Sequence, residues 1–183
     1  FDYLRSIYFQ KRFYEVSFEI ENGKYRDDAQ KIAELNGWCA INTSDWSKAA
    51  GIFNRLSTGT DERDRARLKA IADSINGFGE GSEKSPMTAG FLSAVFPGAG
   101  HLYAGNITNA IGAFMLNAIF GSLTAYSIHK KQWGYAAFFG AMEVGWYTGN
   151  IASAYQEAKY SNTKRDNERK MSLSAQFPFK TGN

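Results

Sequence analysis

Three charges between Ser85 and Gln156 limit what this chain can fold into more than any other feature. Between Lys84 and Lys130 there is no Asp, Glu, Lys or Arg, and from there to Gln156 only Lys130, Lys131 and Glu143 are charged. A soluble domain is about 25% charged, so the stretch cannot supply an ordinary wetted surface. Its apolar segments approach the roughly 20 residues a helix needs to cross a hydrocarbon core. The chain therefore reads as all-α, in four parts. Residues 1–76 form a helical repeat domain, 77–86 a linker, 87–158 a membrane-embedded module of two or three segments, and 159–183 a polar tail. The alternative for the module is a helical hairpin buried in a large soluble complex.

The remaining composition sharpens that division. Residues 1–84 hold 13 Lys/Arg and 14 Asp/Glu, so the slightly negative mean hydropathy averages two unlike halves. A net charge of +3 builds no basic field, and no nucleic-acid partner is expected. One cysteine, Cys39, excludes an intrachain disulfide, and with only two histidines no metal or cofactor is expected. The chain opens on Phe1 rather than Met. The native N-terminus is expected to have been removed by processing or to lie before it, and two repeats alone call for either further N-terminal repeats or a stabilising neighbour.

Residues 1–60 pattern as two helix-turn-helix units. In the second, Gly37 permits a close helix approach, Ala49 is the contact position, and Trp46 and Phe53 are wedges. Ser44-Asp45 supplies the turn. Phe13, Val16 and Ile20 precede Trp46, Ala49 and Phe53 by one constant offset, close to the tetratricopeptide period of roughly 34 residues. An ordinary helical hairpin without repeat ancestry is the other reading. Glu21-Asn22-Gly23 is placed to end the first unit. Thr60, followed by Asp61 and Glu62, is placed to cap a third helix running to Asn76. Leu68, Ile71, Ala72 and Ile75 share one face of it. Arg63, Arg65, Arg67 and Lys69 take the flanks as a solvated basic surface. Asn76 to Pro86, rich in Gly and Ser, has little to pack and marks the boundary.

In the module, Met87 to Phe96 is apolar and breaks at Pro97-Gly98-Ala99-Gly100, where a donor is lost and unusual backbone is allowed. Ile107 to Ile128 carries no charge. His129-Lys130-Lys131-Gln132 reads as a turn, and Trp133 to Gln156 as a third, more polar segment. Asn109, Asn117 and Asn150 must face other helices or a partner, since lipid would leave them unsatisfied. Gly112, Ala113, Gly121 and Gly145 are candidate points of close approach.

Phe91 to Gly105, with Gly98, Gly100, Tyr103 and Gly105 in place, resembles the core motif of TM2-domain-like membrane proteins. Over roughly residues 30–165 the chain is more closely similar to a bacterial group in which tetratricopeptide-like repeats precede a Pro-Gly-x-Gly-x-x-Tyr-x-Gly membrane module. Its Glu-x-x-Trp-Tyr-x-Gly-Asn motif is matched by Glu143, Trp146, Tyr147, Gly149 and Asn150. His101 stands where Gln is the commoner residue. The resemblance implies an architecture, a repeat domain on a membrane module, rather than an activity.

Glu143, as an intramembrane acid, is either a proton or cation site near His101 or Asn150, or a structural anchor. The Pro-Gly-Ala-Gly loop lacks the Lys-Ser/Thr ending and preceding strand of a phosphate-binding loop. No frame for nucleophilic catalysis is present, so no enzymatic activity is expected. The expected function is a membrane-anchored adaptor of a bacterial envelope complex, its repeats binding a protein partner and its module contacting lipid. A small transport or membrane-protein-insertion device using the Gly-broken helix and Glu143 is the alternative. The expected place is the inner membrane. The basic residues of 159–170 favour a cytoplasmic tail, Lys130-Lys131 argues the opposite way, and three passes would put the repeats on the periplasmic side.

Overall fold

The computed structural model describes residues 1–23, 28–59, 62–78 and 83–179, with the Arg63 side chain outside that set. Among the described residues all regular structure is helical. In order, the helices are α1 (Asp2–Phe9), α2 (Phe13–Glu21), α3 (Ala29–Asn42), α4 (Trp46–Gly59), α5 (Glu62–Asn76), α6 (Pro86–Val95), α7 (Ala99–Ala104), α8 (Ile107–His129) and α9 (Trp133–Gln176). They gather into two compact units. The N-terminal unit joins Phe1–Glu80 with Asp166–Asn183, and the middle unit is Gly81–Arg165.

In the N-terminal unit, α1/α2 and α3/α4 are successive hairpins. Their turns share one conformation, with Lys11 and Ser44 both left-handed at φ 62° and separated by the same offset as Val16 and Ala49. In each, the amide of the following residue reaches back to a carbonyl one helical turn and more earlier, Arg12 to Ile7 and Asp45 to Ala40. The same turn joins α8 to α9 at Lys131 (φ 57°). It is therefore a short αα connection this chain reuses, and does not by itself mark a repeat. The two hairpins also share a buried position. Val16 and Ala49 are both fully buried, and Phe53 fills the space that Gly37 leaves. A Cβ at Gly37 would stand 2.7 Å from the Phe53 ring.

Two clusters make the core of this unit. One holds Leu4, Ile7, Val16, Ile32, Leu35 and Cys39. The other packs Trp38, Ile41, Ala49 and Phe53 on Leu68, Ile71, Ala72 and Ile75 of α5, as the helical spacing of those four predicts. Gly23, left-handed at φ 71°, follows the end of α2. Thr60 and Asp61 lie outside the described residues. Arg67 differs from the solvated flank expected of it. Its guanidinium pairs with Glu34 at 2.7 Å, both side chains largely buried, and Glu34 also accepts from Trp38 Nε1.

Residues 159–176, expected as a polar tail, continue α9 instead. Leu173 is 1% exposed and belongs to the second cluster, with Phe177 and Phe179 packed beside it. One aliphatic residue among many charged ones is too faint a stripe to read as a core helix.

In the middle unit, Ser85 caps α6 by accepting from the Thr88 amide, and Pro86 occupies the first turn, where its missing N–H costs nothing. Asn106 caps α8 through the Asn109 amide. Among the described residues one helix, α8, is long and apolar enough to cross a membrane, and only 11% of its apolar window is buried. Helix α6 is apolar but short, running only from Pro86 to Val95.

Two outcomes check the packing of the N-terminal unit. Gly37→Val forces the Phe53 ring to move and should lower stability by about 1–3 kcal/mol, read as a fall in melting temperature. Burial pushes the Cys39 thiol from 9.0 up to about 12, and the Tyr8 hydroxyl from 10.0 to about 12. Unfolded, these groups release their protons at the lower values. Between about pH 9 and 12 the unfolded chain therefore binds fewer protons, and stability falls as pH rises through that window. Alkaline loss of helicity should start at higher pH in Cys39→Ala, and Cys39 should resist maleimide at neutral pH until denaturant is added.

Candidate functional site

The residues singled out along the module converge at the break between α6 and α7. Gly98 is left-handed at φ 90°, and a Cβ there would run into the backbone carbonyl of Ala110. A Cβ at Gly100 would strike the Ala89 carbonyl, Ser93 Oγ and Ala154. Both glycines are thus fixed by close approach rather than by flexibility. Pro97 begins the turn between the two helices, and Gly105, at φ 93°, ends α7.

The break frees backbone groups that α9 satisfies. Asn150 is 6% exposed. Its Oδ1 accepts from the Gly98 amide at 3.2 Å, and its Nδ2 donates to the Ser93 carbonyl at 3.2 Å. One side-chain amide therefore bridges both ends of the interruption. Tyr147 donates its hydroxyl to the Ala94 carbonyl one turn away. Ser93 Oγ accepts from the Gly100 amide at 3.1 Å. Ser153 Oγ donates to the Asn150 carbonyl, which leaves it to accept from His101 Nε2 at 3.0 Å. That assigns the Nε2–H tautomer to His101.

A second polar cluster closes the end of the unit. Lys84 Nζ donates to the Tyr103 carbonyl at 2.7 Å, and Tyr103 Oη accepts from the Ser85 amide. Asn162 exchanges two hydrogen bonds with the Lys84 backbone. Glu157 receives Asn106 Nδ2 at 3.1 Å and Asn109 Nδ2 at 3.0 Å. Glu143, Trp146, Asn150, Ser153 and Glu157 follow one another at intervals of three and four, so they share one face of α9.

A cavity of about 460 Å³ lies between α7, α8 and α9, lined by His101, Asn109, Asn117, Trp146 and Gly149 among others. Among the described residues, His101 Nδ1 and Asn117 Oδ1 are buried without a partner. Asn117 Nδ2 donates to the Ala113 carbonyl within its own helix. Trp146, 44% exposed, stacks on Phe120.

The fold thus brings Gly98, Gly100, His101, Tyr147 and Asn150 into one connected set, with Pro97, Tyr103 and Gly105 in the adjoining turns. Glu143 stands outside it. Its Oε2 is buried without a hydrogen-bond partner among the described residues, and neither His101 nor Asn150 supplies one. Gly112, Gly121 and Gly145 have open space where a Cβ would sit, so they are not points of close approach within this chain. Trp46, Ala49 and Phe53 belong to the N-terminal unit and take no part. Ser93, Asn106, Ser153, Glu157 and Asn162 escape motif reading. Only the three-four spacing of polar residues on α9 signals some of them. No group of three or more His, Cys, Asp or Glu that could hold a metal occurs among the described residues.

Among the described residues, the fold and site define an all-helical arrangement with one helix long and apolar enough to cross a membrane and a hydrogen-bonded helix break. Compared with family models, with curated proteins and with solved structures, the chain returns no match.

Asn150→Ala leaves the Gly98 amide and the Ser93 carbonyl buried and unpaired, at about 1–3 kcal/mol each. Its melting temperature in detergent should fall well below wild type. Gly100→Ala should fall comparably, whereas Gly149→Ala, which meets open space, should stay near wild type.

Proposed function

We propose that this chain is a non-enzymatic, membrane-anchored adaptor of a bacterial envelope complex, in which the N-terminal unit binds a protein partner and the middle unit sits in the bilayer. The observation that carries this reading is the outer surface of α8. Ile111, Met115 and Ile119 are 50–55% exposed, in a helix with almost no buried face. Eight large apolar side chains of α8 are exposed in all, from Ile107 to Ile128. Removing each from water is worth about 1.5 kcal/mol or more. The total matches the net stability of a whole domain, so water is the wrong medium for this surface. Exposed Met87, Phe91 and Val95 on α6, and Trp133, Tyr135 and Phe138 on α9, extend the same belt.

Within this proposal α6 and the first half of α9 accompany α8 as shorter or more polar membrane segments. The break in α6–α7 is compatible with lipid because Asn150, Ser93 and Tyr147 satisfy it internally. The α1–α4 hairpins are read as tetratricopeptide-like from the equivalence of Val16 with Ala49, supported by the Gly37–Phe53 contact. An anchoring role fits a site whose polar groups are mostly engaged with one another. The end of α9 and the repeats belong to one compact unit, so within this proposal both lie on one side of the inner membrane, and the basic residues of 159–170 favour the cytoplasmic side over the periplasmic side that three passes would give.

One observation favours a second reading, a small transport or insertion device. His101 Nδ1 and Asn117 Oδ1, beside the α7–α9 cavity, and Glu143 Oε2 are the kind of unspent acceptors a proton or cation would use. Glu143→Gln separates the two. An adaptor keeps its partners and its cellular activity to within about twofold, whereas a proton- or ion-coupled device stops working.

The adaptor reading requires the chain to resist extraction by alkaline carbonate, to dissolve in mild detergent, and to emerge with co-purifying subunits. Recovery from native membranes as a water-soluble monomer without partners would overturn it.

A further inference from the structure

We infer that the α1–α5 helices form a groove for an amphipathic helix, and that the end of α9 is its resident occupant, holding the place of a partner helix of the same chemistry. This rests on the adaptor reading for the partner's existence, but not for the groove or its present occupant. Asp166, Arg169, Lys170 and Leu173 fall at intervals of three, one and three, so one face of α9 carries them, and Phe177 follows one turn on, just past the helix end. All pack within the N-terminal unit. Asp166 accepts from Trp46 Nε1 at 3.1 Å. The Arg169 guanidinium lies over the Trp46 and Phe78 rings, at 5.8 and 5.1 Å, and donates to the Phe78 carbonyl. Lys170 Nζ reaches the Asn42 carbonyl at the end of α3, where the helix dipole favours a cation. Leu173 is buried among Trp38, Phe53 and the α5 side chains. Beyond the helix, Phe179 packs on Tyr8 and Trp38, at ring separations of 5.3 and 6.3 Å.

This is the anchor pattern of a helix laid in a groove. The anchors are unequal in kind. The groove contributes aromatic faces and open carbonyls, which would need cover if the occupant left. The occupant contributes one aliphatic and two aromatic anchors on an otherwise charged helix that water would accept. Loss of the occupant therefore exposes the groove more than it exposes the helix. What replaces it must offer a basic pair one turn before a Leu, with aromatics following. A tethered occupant acts at an effective concentration in the millimolar range, so a free helix competes poorly until the tether is weakened.

The test uses the full-length chain in detergent and a fluorescent synthetic peptide of its own residues 164–179. Wild type should bind the peptide weakly. Leu173→Asp combined with Phe179→Ala, which releases the resident segment, should bind it at least tenfold more tightly, and a peptide carrying the Leu173→Asp change should not bind. Arg169→Ala with Lys170→Ala, which loosens the rim without touching the core, should give an intermediate gain. The inference is overturned if both variants keep wild-type helicity and neither gains affinity. It is also overturned if both lose helicity, because the segment is then core and not occupant, or if the release variant dimerises by exchanging its own tail. Binding of the peptide needs no envelope partner. Failure here leaves the adaptor to work through another surface, and failure of native membranes to yield partners leaves the groove standing.

Discussion

A single side-chain amide, that of Asn150, decides whether the middle unit can exist as described. Helices α6 and α7 are interrupted, and an interruption in an apolar setting strands a donor and an acceptor. Asn150 has one of each, and it places them on the Gly98 amide and the Ser93 carbonyl. Gln is the one other side chain that carries an amide donor and acceptor side by side, and it carries them one methylene further out. The glycines follow from the same constraint. Ala89 and Ala110 stand so near the break that Gly98 and Gly100 have no room for a Cβ. Two sequence motifs far apart in the chain are therefore two halves of one joint.

The two units solve the problem of cover in opposite ways. The N-terminal unit folds inward around Trp38, Phe53 and the apolar face of α5, with its charged pair Arg67–Glu34 set against the Trp38 indole. The middle unit keeps Ser93, His101, Asn117 and Asn150 inside and turns Ile, Met, Phe and Trp outward. Polar-in and apolar-out is stable only when the surroundings are themselves apolar. Composition alone separates these halves, because the described charges of residues 1–84, the Arg67–Glu34 pair apart, lie towards the surface, and the charge-free stretch has no such face to clothe.

Helix positions are largely legible. Apolar spacing and capping chemistry locate α5 and α8 to within a residue or two, the Ser44-Asp45 turn falls between α3 and α4, and the break at Pro97-Gly98 is announced by its composition. What stays hidden falls into two kinds. The end of α9 reads as a solvated tail because its burial rests on Leu173 and on cation–aromatic contacts of Arg169, which no hydrophobic pattern records. The partners of the motifs are concealed because hydrogen bonds such as His101 to Ser153 or Asn106 to Glu157 join positions distant in sequence. Glu143 draws attention as a lone acid, yet the carboxylate that is engaged is Glu157. Chemistry chosen by rarity points to one residue, and geometry to another.

The order in which the chain is made gives the α6–α7 joint one further meaning. Gly98 and Ser93 leave the ribosome well ahead of the amide that serves them. Until Asn150 emerges, the freed backbone groups have only water for company, and the interrupted segment has no way to settle in a greasy layer. If the middle unit sits in a bilayer as proposed, the segment waits at a wet boundary while α8 passes and is seated only when α9 arrives. On that proposal a ribosome stalled between those two events would leave behind a half-inserted chain, a natural target for quality-control proteolysis.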